Sequence, residues 1–362
     1  MLFRTKRAAR CFCRYASAAG VYNLSMEIIR EKEEIEEFTY APFDQYFGGL
    51  DIAALDIETT GLSPARASCI LIGILKKRGE SFEFVQIFSD KGTPEDEAAL
   101  LRAASRELEG IDVMITYNGR SFDGPFMARR MRMHGIAPRL PFDLDLLPIV
   151  RRHSGLKSFL PNLRQKTVED FMGLWADRDD RIDGGDSVLM YFDYLASGSD
   201  DIRRSVLLHN HDDVLQLYKL LAVLKKTDFH AAMSDTGFPV KTGGTLLAVT
   251  DISAGKRTLD VSGRQLYGAV GAVSFGDETG VSCEFSRISE DFDIHIGLLG
   301  SGDIRFADIG RAGIDTEEFE DYPAAGSGYV AVTDGDNIFY AQMNLMIRRI
   351  IERMLSEWTI EN

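Results

Sequence analysis

Two acidic residues one position apart, Asp56 and Glu58, are the first candidates for chemistry in this sequence. They follow the apolar run 52–55 and precede a glycine-containing turn, a pattern that predicts a strand. Because alternate side chains of a strand share one face, both carboxylates are expected to point the same way. Two such charges raise each other's pKa unless a cation lies between them, and a hard divalent ion suits that position. Taken alone, the pair is more typical of solvated residues at a strand end, and only partners elsewhere in the chain favour a site.

A histidine and an aspartate interrupt the apolar face of a long helix predicted at about 201–226. The face has helical spacing and consists of Ile202, Val206, His209, Asp213, Leu217, Leu220 and Leu224. Burying a carboxylate in such a stripe is costly unless a partner or a metal compensates it. A His–Asp pair satisfied inside the core is the alternative. The presence of Asp56, Glu58 and Asp123 elsewhere favours a site.

Asp123 is the third candidate, and it comes after a predicted Asn-Gly turn at Asn118. It also precedes Gly124 at the start of a helix, where aspartate is a common N-cap, so capping alone would explain it equally well. Asp143 and Asp145 are predicted to be a helix cap and a solvated or supporting acid.

The elements that position these residues are predicted from apolar periodicity. Strands are expected at 52–58, 69–75, 82–88 and 111–116, with a helix capped by Thr93 running to about Leu108. This order predicts an antiparallel sheet extended by a parallel crossover, in a mixed α/β domain. Residues 31–37 are expected to be a solvated helix or lead-in, 143–176 helical in pieces, 179–185 a polar loop, and 189–195 a short helix.

From about residue 238 the sequence changes to glycine-rich, alternating segments, which predict a β-rich module to about residue 340. A helix near 337–358 closes it, and its apolar stripe is expected to be core: Met343, Met346, Ile347, Ile350, Ile351 and Met354. The predicted domains are therefore 26–228 and 238–362. Residues 1–25 are basic and lie outside the fold, as a transit peptide, a poor signal sequence or, slightly favoured, translated sequence upstream of a natural start at Met26.

Composition limits the classes of function. A hydrophobic content of 45% and a charged content of 27% are typical of a soluble globular protein. The net charge of -15 argues against strong non-specific polyanion binding by the whole surface, but leaves room for a basic groove or an acidic site neutralised by metal. No apolar run approaches the roughly 18 residues of a membrane helix. The four cysteines form no Cys-x-x-Cys pair, which favours a reducing, cytoplasmic setting.

The three motifs, in this order, resemble those of the DEDD-type 3′→5′ exonucleases of the ribonuclease H-like superfamily, and look most like the YprB-like branch. The resemblance covers roughly residues 45–228. It rests on Asp56-Ile57-Glu58-Thr59-Thr60-Gly61, on Tyr117-Asn118-Gly119 with Phe122-Asp123, and on His209-Asn210 with Asp213-Val214. One departure lies in the third motif, because a histidine stands four residues before Asp213, where a tyrosine is usual.

The resemblance implies a ribonuclease H-like mixed sheet flanked by helices, and an enzyme that hydrolyses phosphodiester bonds at single-stranded 3′ ends. Two Mg²⁺ or Mn²⁺ ions, roughly 4 Å apart, would be held by four carboxylates, with Asp56 as the bridging ligand. His209 would accept a proton from the attacking water. The carboxylates and the expected substrate contacts are Asp56, Glu58, Asp123 and Asp213, with Thr59, Asn118, Phe122, Arg129 and Arg130.

Three other functions remain open from the sequence. One is a nucleic-acid-binding or scaffold protein that keeps the fold without turnover, an alternative that the departure at His209 leaves open. A histidine–aspartate phosphohydrolase would use His211 and Asp212 but needs upstream histidine ligands, for which His134 and His153 are poor candidates. A ribonuclease H endonuclease normally carries its second carboxylate on a separate helix, unlike Glu58. DNA or RNA preference and protein partners are not indicated.

Overall fold

The computed structural model describes residues 26–79, 81–174, 178, 184–268, 273–275, 280–322 and 328–361. The segment 1–25 and most of the loop predicted at 179–185 lie outside this range. Within the described residues, the chain divides into two compact units. The first takes 26–38, 51–147 and 162–222, and the second takes 39–50, 148–161 and 223–361.

The first unit is built on a six-stranded mixed sheet of order β1-β4-β3-β2-β5-β6. Its strands are β1 Met26–Glu33, β2 Ile52–Thr59, β3 Cys69–Arg78, β4 Ser81–Ser89, β5 Val113–Thr116 and β6 Phe142–Asp145. The pairs from β1 to β2 are antiparallel, whereas β2, β5 and β6 are parallel. The prediction of an antiparallel sheet extended by a parallel crossover is therefore confirmed.

Helices cover both faces of this sheet, α2 Pro94–Glu107 and α3 Asp123–Met133 on one side and α6 Gly184–Ser197 and α7 Asp200–Lys219 on the other. The short helix α5 Gln165–Phe171 also belongs to the first unit. Helix α4 Leu146–His153 begins in the first unit and continues into the second, as does the 3-10 segment Leu220–Lys226 that follows α7. Thr93 caps α2 as predicted, accepting a hydrogen bond from the Asp96 N–H at 3.2 Å. One core lies between the sheet and α2 with α3, and a second between the sheet and α6 with α7. In the second of these cores, α7 packs against β2 and β3.

The prediction of a solvated helix or lead-in at 31–37 is wrong for its first residues, because 26–33 form the edge strand β1. Ile28 packs against one core and Ile29 against the other, as alternation along a strand requires. β1 pairs with β4 along its whole length. The charged residues of β1 are tolerated because they form ion pairs, Glu27 with Arg203, Arg30 with Glu107 and Glu33 with His211.

Among its described residues, the second unit contains two antiparallel sheets and three complete α-helices, together with most of α4. One sheet has the order β10-β11-β12-β9-β8-β7 and the other β13-β14-β15-β16. The strands are β7 Phe238–Thr242, β8 Thr245–Ala254, β9 Thr258–Tyr267, β10 Val273–Phe275, β11 Val281–Phe285, β12 Asp291–Gly297, β13 Leu299–Ser301, β14 Ile304–Asp308, β15 Tyr329–Asp334 and β16 Asn337–Ile338. The helices are α1 Ala41–Phe47, α8 Phe229–Thr236 and α9 Tyr340–Glu361. A β-rich C-terminal region that ends in a helix is thus confirmed.

The stripe predicted on the last helix is core. Met343, Met346, Ile347, Ile350 and Ile351 are all buried in α9, while Met354 is half-buried. Among the helices that the structure describes, none has an apolar stretch long enough to cross a bilayer.

The compact units are discontinuous in sequence, unlike the predicted domains 26–228 and 238–362. Residues 39–50 and 148–161 belong with the second unit. The reason for the first stretch is aromatic packing: the rings of Phe43 and Phe229 lie 6.2 Å apart, and the Tyr46 hydroxyl is 2.8 Å from His230 Nδ1. These contacts join residues 39–50 to a part of the chain that is distant in sequence.

Candidate metal-binding active site

Strand β2 presents Asp56 and Glu58 on one face, and both belong to the centre of the first unit. Leu55 and Ile57, which alternate with the two acids, lie in the core on the α2 and α3 side, so the two carboxylates face the α6 and α7 side. Glu58 is buried, and Asp56 is partly buried. The predicted strand and the shared face are both confirmed.

A glycine on the neighbouring strand allows α7 to approach Asp56 closely. Gly73 pairs with Asp56 across the β2–β3 ladder, and a methyl group at position 73 would collide with Asn210 Oδ1 and lie 2.9 Å from Val214. The Asn210 amide donates to Asp56 Oδ2 at 3.2 Å, while Gln86 donates to Asn210 Oδ1 at 3.1 Å. This chain of hydrogen bonds fixes the orientation of the Asp56 carboxylate.

His209 lies between two carboxylates from different elements. Its Nε2 atom is 3.5 Å from Glu58 Oε1 and 3.6 Å from Asp213 Oδ2. One ligand atom from each of these three residues lies within 4.8 Å of the others. Ser187 of α6 donates to Glu58 Oε2 at 3.1 Å and so holds the second oxygen of that carboxylate.

Asp123 reaches the same region from the first residue of α3. Phe122 occupies the N-cap position, so the proposed capping role of Asp123 is wrong. Its carboxylate instead accepts a hydrogen bond from the Ile57 N–H of β2 at 3.3 Å, and the residue is buried. The charges of Asp123, Glu58 and Asp213 all raise the pKa of Asp56, so the four acids are close enough to interact.

The electrostatics of this cluster favour a bound cation. Burial, followed by repulsion from the other carboxylates, raises the pKa of Asp56 well above its usual value. Burial is also the main reason why the pKa of Glu58 is raised to about 7, as is that of Asp123. A cation that takes oxygen ligands, such as Mg²⁺ or Mn²⁺, would offset this repulsion. Glu58, His209 and Asp213 form a candidate metal-binding group, and Asp56 and Asp123 lie close enough to interact electrostatically with it or with one another.

The part of the chain that carries this geometry matches a known family model. Residues 53–225 match the RNase_H superfamily. This part of the chain has a ribonuclease H-like fold. It contains all four carboxylates and His209.

One curated relative and several solved structures are similar to the chain. An uncharacterized protein of Bacillus subtilis, YprB, is 30% identical over 176 residues, which are 47% of this chain and 41% of that protein. The chain thus spans less than half the length of this relative.

The solved structures are similar to the chain at low identity. A family B DNA polymerase from Pyrobaculum calidifontis has a TM-score of 0.40 at 18% identity, and the match covers 49% of this chain and 24% of the polymerase chain. E. coli exonuclease I with an oligonucleotide has a TM-score of 0.34 at 12% identity, covering 59% and 54%. NrnC from Brucella melitensis with bound Mg²⁺ has a TM-score of 0.31 at 19% identity, covering 52% and 78%.

An arginine that sequence reasoning missed lies beside the carboxylates of the ribonuclease H-like domain. The Arg178 guanidinium is buried, forms an ion pair with Asp213 and pairs with Glu169 at 2.7 Å. The pair compensates part of the negative charge of the cluster. No local sequence pattern predicts this ion pair, because Arg178 and Asp213 are far apart in sequence. Asn210, by contrast, is adjacent to His209 in the third motif.

The predicted substrate contacts have different environments. Arg129 and Asn118 are exposed, and Asn118 adopts a left-handed conformation with a φ of 72°, which asparagine tolerates in turns. Phe122 is partly buried and packs 5.5 Å from the Phe126 ring. Thr59 is buried, with its hydroxyl donating to the Gly61 carbonyl at 2.9 Å. These four remain predicted contacts.

Arg130, in contrast, belongs to a buried ion pair with Glu97. It is buried, and its Nε donates to Glu97 Oε1 at 2.7 Å while Nη2 contacts the other oxygen. His134 lies 2.9 Å from the same carboxylate, and the Cys69 N–H donates to it at 2.8 Å. Glu97 occupies one edge of the guanidinium, and Nη1 donates to the Pro64 carbonyl at 3.2 Å. These contacts argue against the predicted role of Arg130 as a substrate contact.

The supporting acids of β6 hold the turn that follows β5. Asp145 accepts from the N–H groups of Leu147, at 3.0 Å, and Asn118, at 2.7 Å, so Asp145 rather than Asp143 is the residue that caps α4. Asp143 accepts from the Thr116 hydroxyl at 2.6 Å and so supports the same region.

The buried ion pair of α2 and α3 predicts a large effect on stability. Glu97→Gln leaves the Arg130 charge without its carboxylate inside the domain, and we expect a loss of about 3 kcal/mol or more in the free energy of unfolding. Chemical denaturation of the variant measures this loss. Glu95→Gln, an exposed acid in the same helical turn, is the matched control and should be neutral. Equal stability of the two variants would contradict a structural role for this pair.

The raised pKa values predict that stability without metal falls as the pH rises. The folded, metal-free protein binds these protons more tightly than the unfolded chain, whose carboxyl pKa values are about 4. Their stabilising effect is complete below that value and is lost as the pH rises through about 7 for Glu58 and Asp123. We expect the thermal midpoint in EDTA to fall by several degrees, roughly 3–8 °C, between pH 5 and 8, and Mn²⁺ at pH 8 to restore it.

A Glu58→Gln variant isolates this contribution from other groups. The pKa of His211, for example, is raised to about 9 by neighbouring carboxylates despite its burial, and it produces a slope of the same sign. The variant should show a flatter profile than wild type. Parallel profiles would show that Glu58 does not titrate as described.

Proposed function

We propose that this protein is a metal-dependent 3′→5′ exonuclease that hydrolyses phosphodiester bonds at single-stranded ends. The observation that carries the proposal is the convergence of acids from a strand and two helices, with His209 between Glu58 and Asp213. A ribonuclease H-like domain at 53–225 supports it. The three sequence motifs that contain these residues also support the proposal.

The metal site would be formed by Asp56, Glu58, Asp123 and Asp213. Two divalent ions, Mg²⁺ or Mn²⁺, supply Lewis acidity and neutralise charge on the phosphate when they are bound. Asn210 and Ser187 orient two of the carboxylates through hydrogen bonds to Asp56 and Glu58. Such orienting contacts fix which oxygen faces the site.

His209 is the proposed general base. It is almost completely buried, and its Nε2 faces the carboxylates rather than bulk solvent. An imidazole can take a proton from the attacking water near neutral pH, and nearby carboxylates stabilise the imidazolium that results. The position four residues before Asp213 brings His209 onto the same helical face.

The substrate contacts are proposed from the first unit alone. Arg129 is exposed and suits a phosphate, and the Asn118 side chain is also exposed. Phe122 presents a partly exposed ring on which a base can stack. Thr59 lies one residue beyond Glu58 and is proposed to contact the terminal nucleotide.

A non-catalytic nucleic-acid-binding or scaffold protein is the second candidate. The observation in its favour is the ion pair of Arg178 with Asp213, because an internal cation already satisfies one of the four carboxylates. Binding without turnover would be the outcome if Arg178 never released this oxygen to a metal.

The phosphohydrolase alternative lacks its ligands among the described residues. His211 faces Glu33 at 3.0 Å, His134 is engaged with Glu97, and His153 is 2.7 Å from Asp235. No cluster of histidines therefore forms around His211 and Asp212 in the part of the chain that the structure describes.

Digestion of matched DNA and RNA oligonucleotides tests the proposal. Substrates labelled at the 5′ end should shorten stepwise with Mn²⁺ and stay intact with EDTA. A version blocked at its 3′ terminus is the control and should be protected. Internal cleavage would indicate an endonuclease, and retention of both oligonucleotides without degradation would favour the binding protein.

A further inference from the structure

A second group of metal-ligating side chains lies on the other side of α7, away from His209. Glu31 and Glu33 alternate along β1 and therefore project from the same face of that strand. His211 projects from α7 toward them, since a position two residues along a helix points to the opposite side from His209. One ligand atom from each of the three lies within 4.8 Å of the others.

The spacing of these atoms suits coordination of one ion. His211 Nε2 is 3.0 Å from Glu33 Oε1 and 3.8 Å from Glu31 Oε2. Ligand atoms bound at about 2.0–2.2 Å in a tetrahedral site are roughly 3.3–3.6 Å apart, so small shifts of flexible glutamates would complete the geometry. One imidazole nitrogen and two carboxylates form the mixed donor set that Zn²⁺ accepts.

The histidine is held in the orientation that a ligand needs. Its Nδ1 atom is 3.4 Å from Asp212 Oδ1, and the imidazole packs 4.5 Å from the Phe84 ring. A carboxylate on the far nitrogen keeps a proton on Nδ1, so Nε2, which faces Glu33 at 3.0 Å, is the nitrogen that would bind a metal in exchange for its own proton. Side-chain exposures of 9% for His211 and 6% for Asp212 show that this pair is built into the domain.

Access to the cluster comes from a cavity of about 370 Å³ that Glu31 and His211 help to line. A solvent-connected cavity gives an ion a route to the nitrogen and room for a water ligand. The contacts of Glu31 and Glu33 with His211 link the edge strand β1 to α7, the helix that also carries Asp213.

We propose that Glu31, Glu33 and His211 form a second divalent-metal site of the Zn²⁺ class, oriented by Asp212 and separate from the four-carboxylate cluster. A metal here would join β1 to α7. The inference does not depend on the proposed nuclease activity, since it rests on a different set of side chains.

Cobalt binding to the full-length protein tests the site. The variant Asp56→Asn with Asp213→Asn serves as background, because it weakens the four-carboxylate cluster. Titration with Co²⁺ should show one ion per chain and the visible absorption of a low-coordinate nitrogen and oxygen site. Zn²⁺ should displace the Co²⁺ and remove the absorption.

Three further changes in this background locate the ion. Glu31→Gln with Glu33→Gln should abolish the absorption, and Asp212→Asn should weaken Co²⁺ affinity about tenfold to a hundredfold. Glu34→Gln, at an exposed acid next to Glu33, is the matched control and should bind as the background does. Circular dichroism verifies that each variant is folded.

Two results would overturn the proposal. Absence of any bound Co²⁺ in the folded background would show that the contacts are only those of an imidazolium with carboxylates. Equal binding by the Glu31→Gln with Glu33→Gln variant would place the ion elsewhere.

Discussion

Asp56→Asn should abolish hydrolysis of the labelled oligonucleotides, with a loss in rate of about a thousandfold or more, equivalent to about 4 kcal/mol of transition-state stabilisation. Asp56 is the acid whose pKa is raised by all three of the other carboxylates, so it lies at the centre of the cluster. The amide keeps the size of the side chain but removes the charge that a divalent cation requires. Single-turnover digestion with Mn²⁺ measures the effect.

The same substitution should not unfold the domain. Removing one of several buried like charges relieves repulsion, so the metal-free variant is expected to be at least as stable as wild type at pH 8. Asp51→Asn, an exposed acid just before β2, is the matched control for activity and should behave as wild type. If Asp56→Asn and wild type degrade substrate at equal rates, the catalytic assignment is wrong.

His209→Ala should reduce the maximal turnover rate about a hundredfold, in the range expected for loss of a general base. The imidazole lies 3.5 Å from Glu58 and 3.6 Å from Asp213 but supplies no carboxylate, so affinity for Mn²⁺ should change much less than turnover. Comparing turnover with Mn²⁺ affinity from calorimetry separates the two effects. The rise of activity with pH should also change shape, because the group that must be deprotonated is gone.

An outcome in which turnover is unaffected would remove His209 as the base. If metal affinity and turnover fell together, the histidine would instead organise the carboxylates Glu58 and Asp213. Asp200→Asn, in the exposed first turn of the same helix, is a control for general effects of substitution in α7.

Much of the domain could be predicted because its signals are local. Alternation along residues 52–58 placed Asp56 and Glu58 on one face, and helical spacing placed His209 with Asp213. The cap at Thr93 follows from hydrogen-bond chemistry within four residues. The error at 31–37 arose because charged residues suggested solvation, whereas pairing with β4 determines the conformation of the first of them.

Partners across the fold could not be predicted in the same way. Arg130 follows the second motif in a run of basic residues, yet its charge is satisfied by Glu97 from another helix. Asp123 occupies a helix start, but its hydrogen bond goes to the Ile57 N–H of β2. In both cases the sequence gives the residue type, while the choice between two roles depends on a neighbour that is distant along the chain.

The sequence by itself determined the acids, the elements that carry them and the faces on which they lie, because strand and helix periodicity relate only residues close in the chain. The tertiary structure alone decided that Gly73 lets Asn210 reach Asp56, that Arg178 pairs with Asp213, and that His211 faces β1. The physical reason is packing: which side chains meet depends on how closely α7 approaches the sheet, and that distance is set by the whole core.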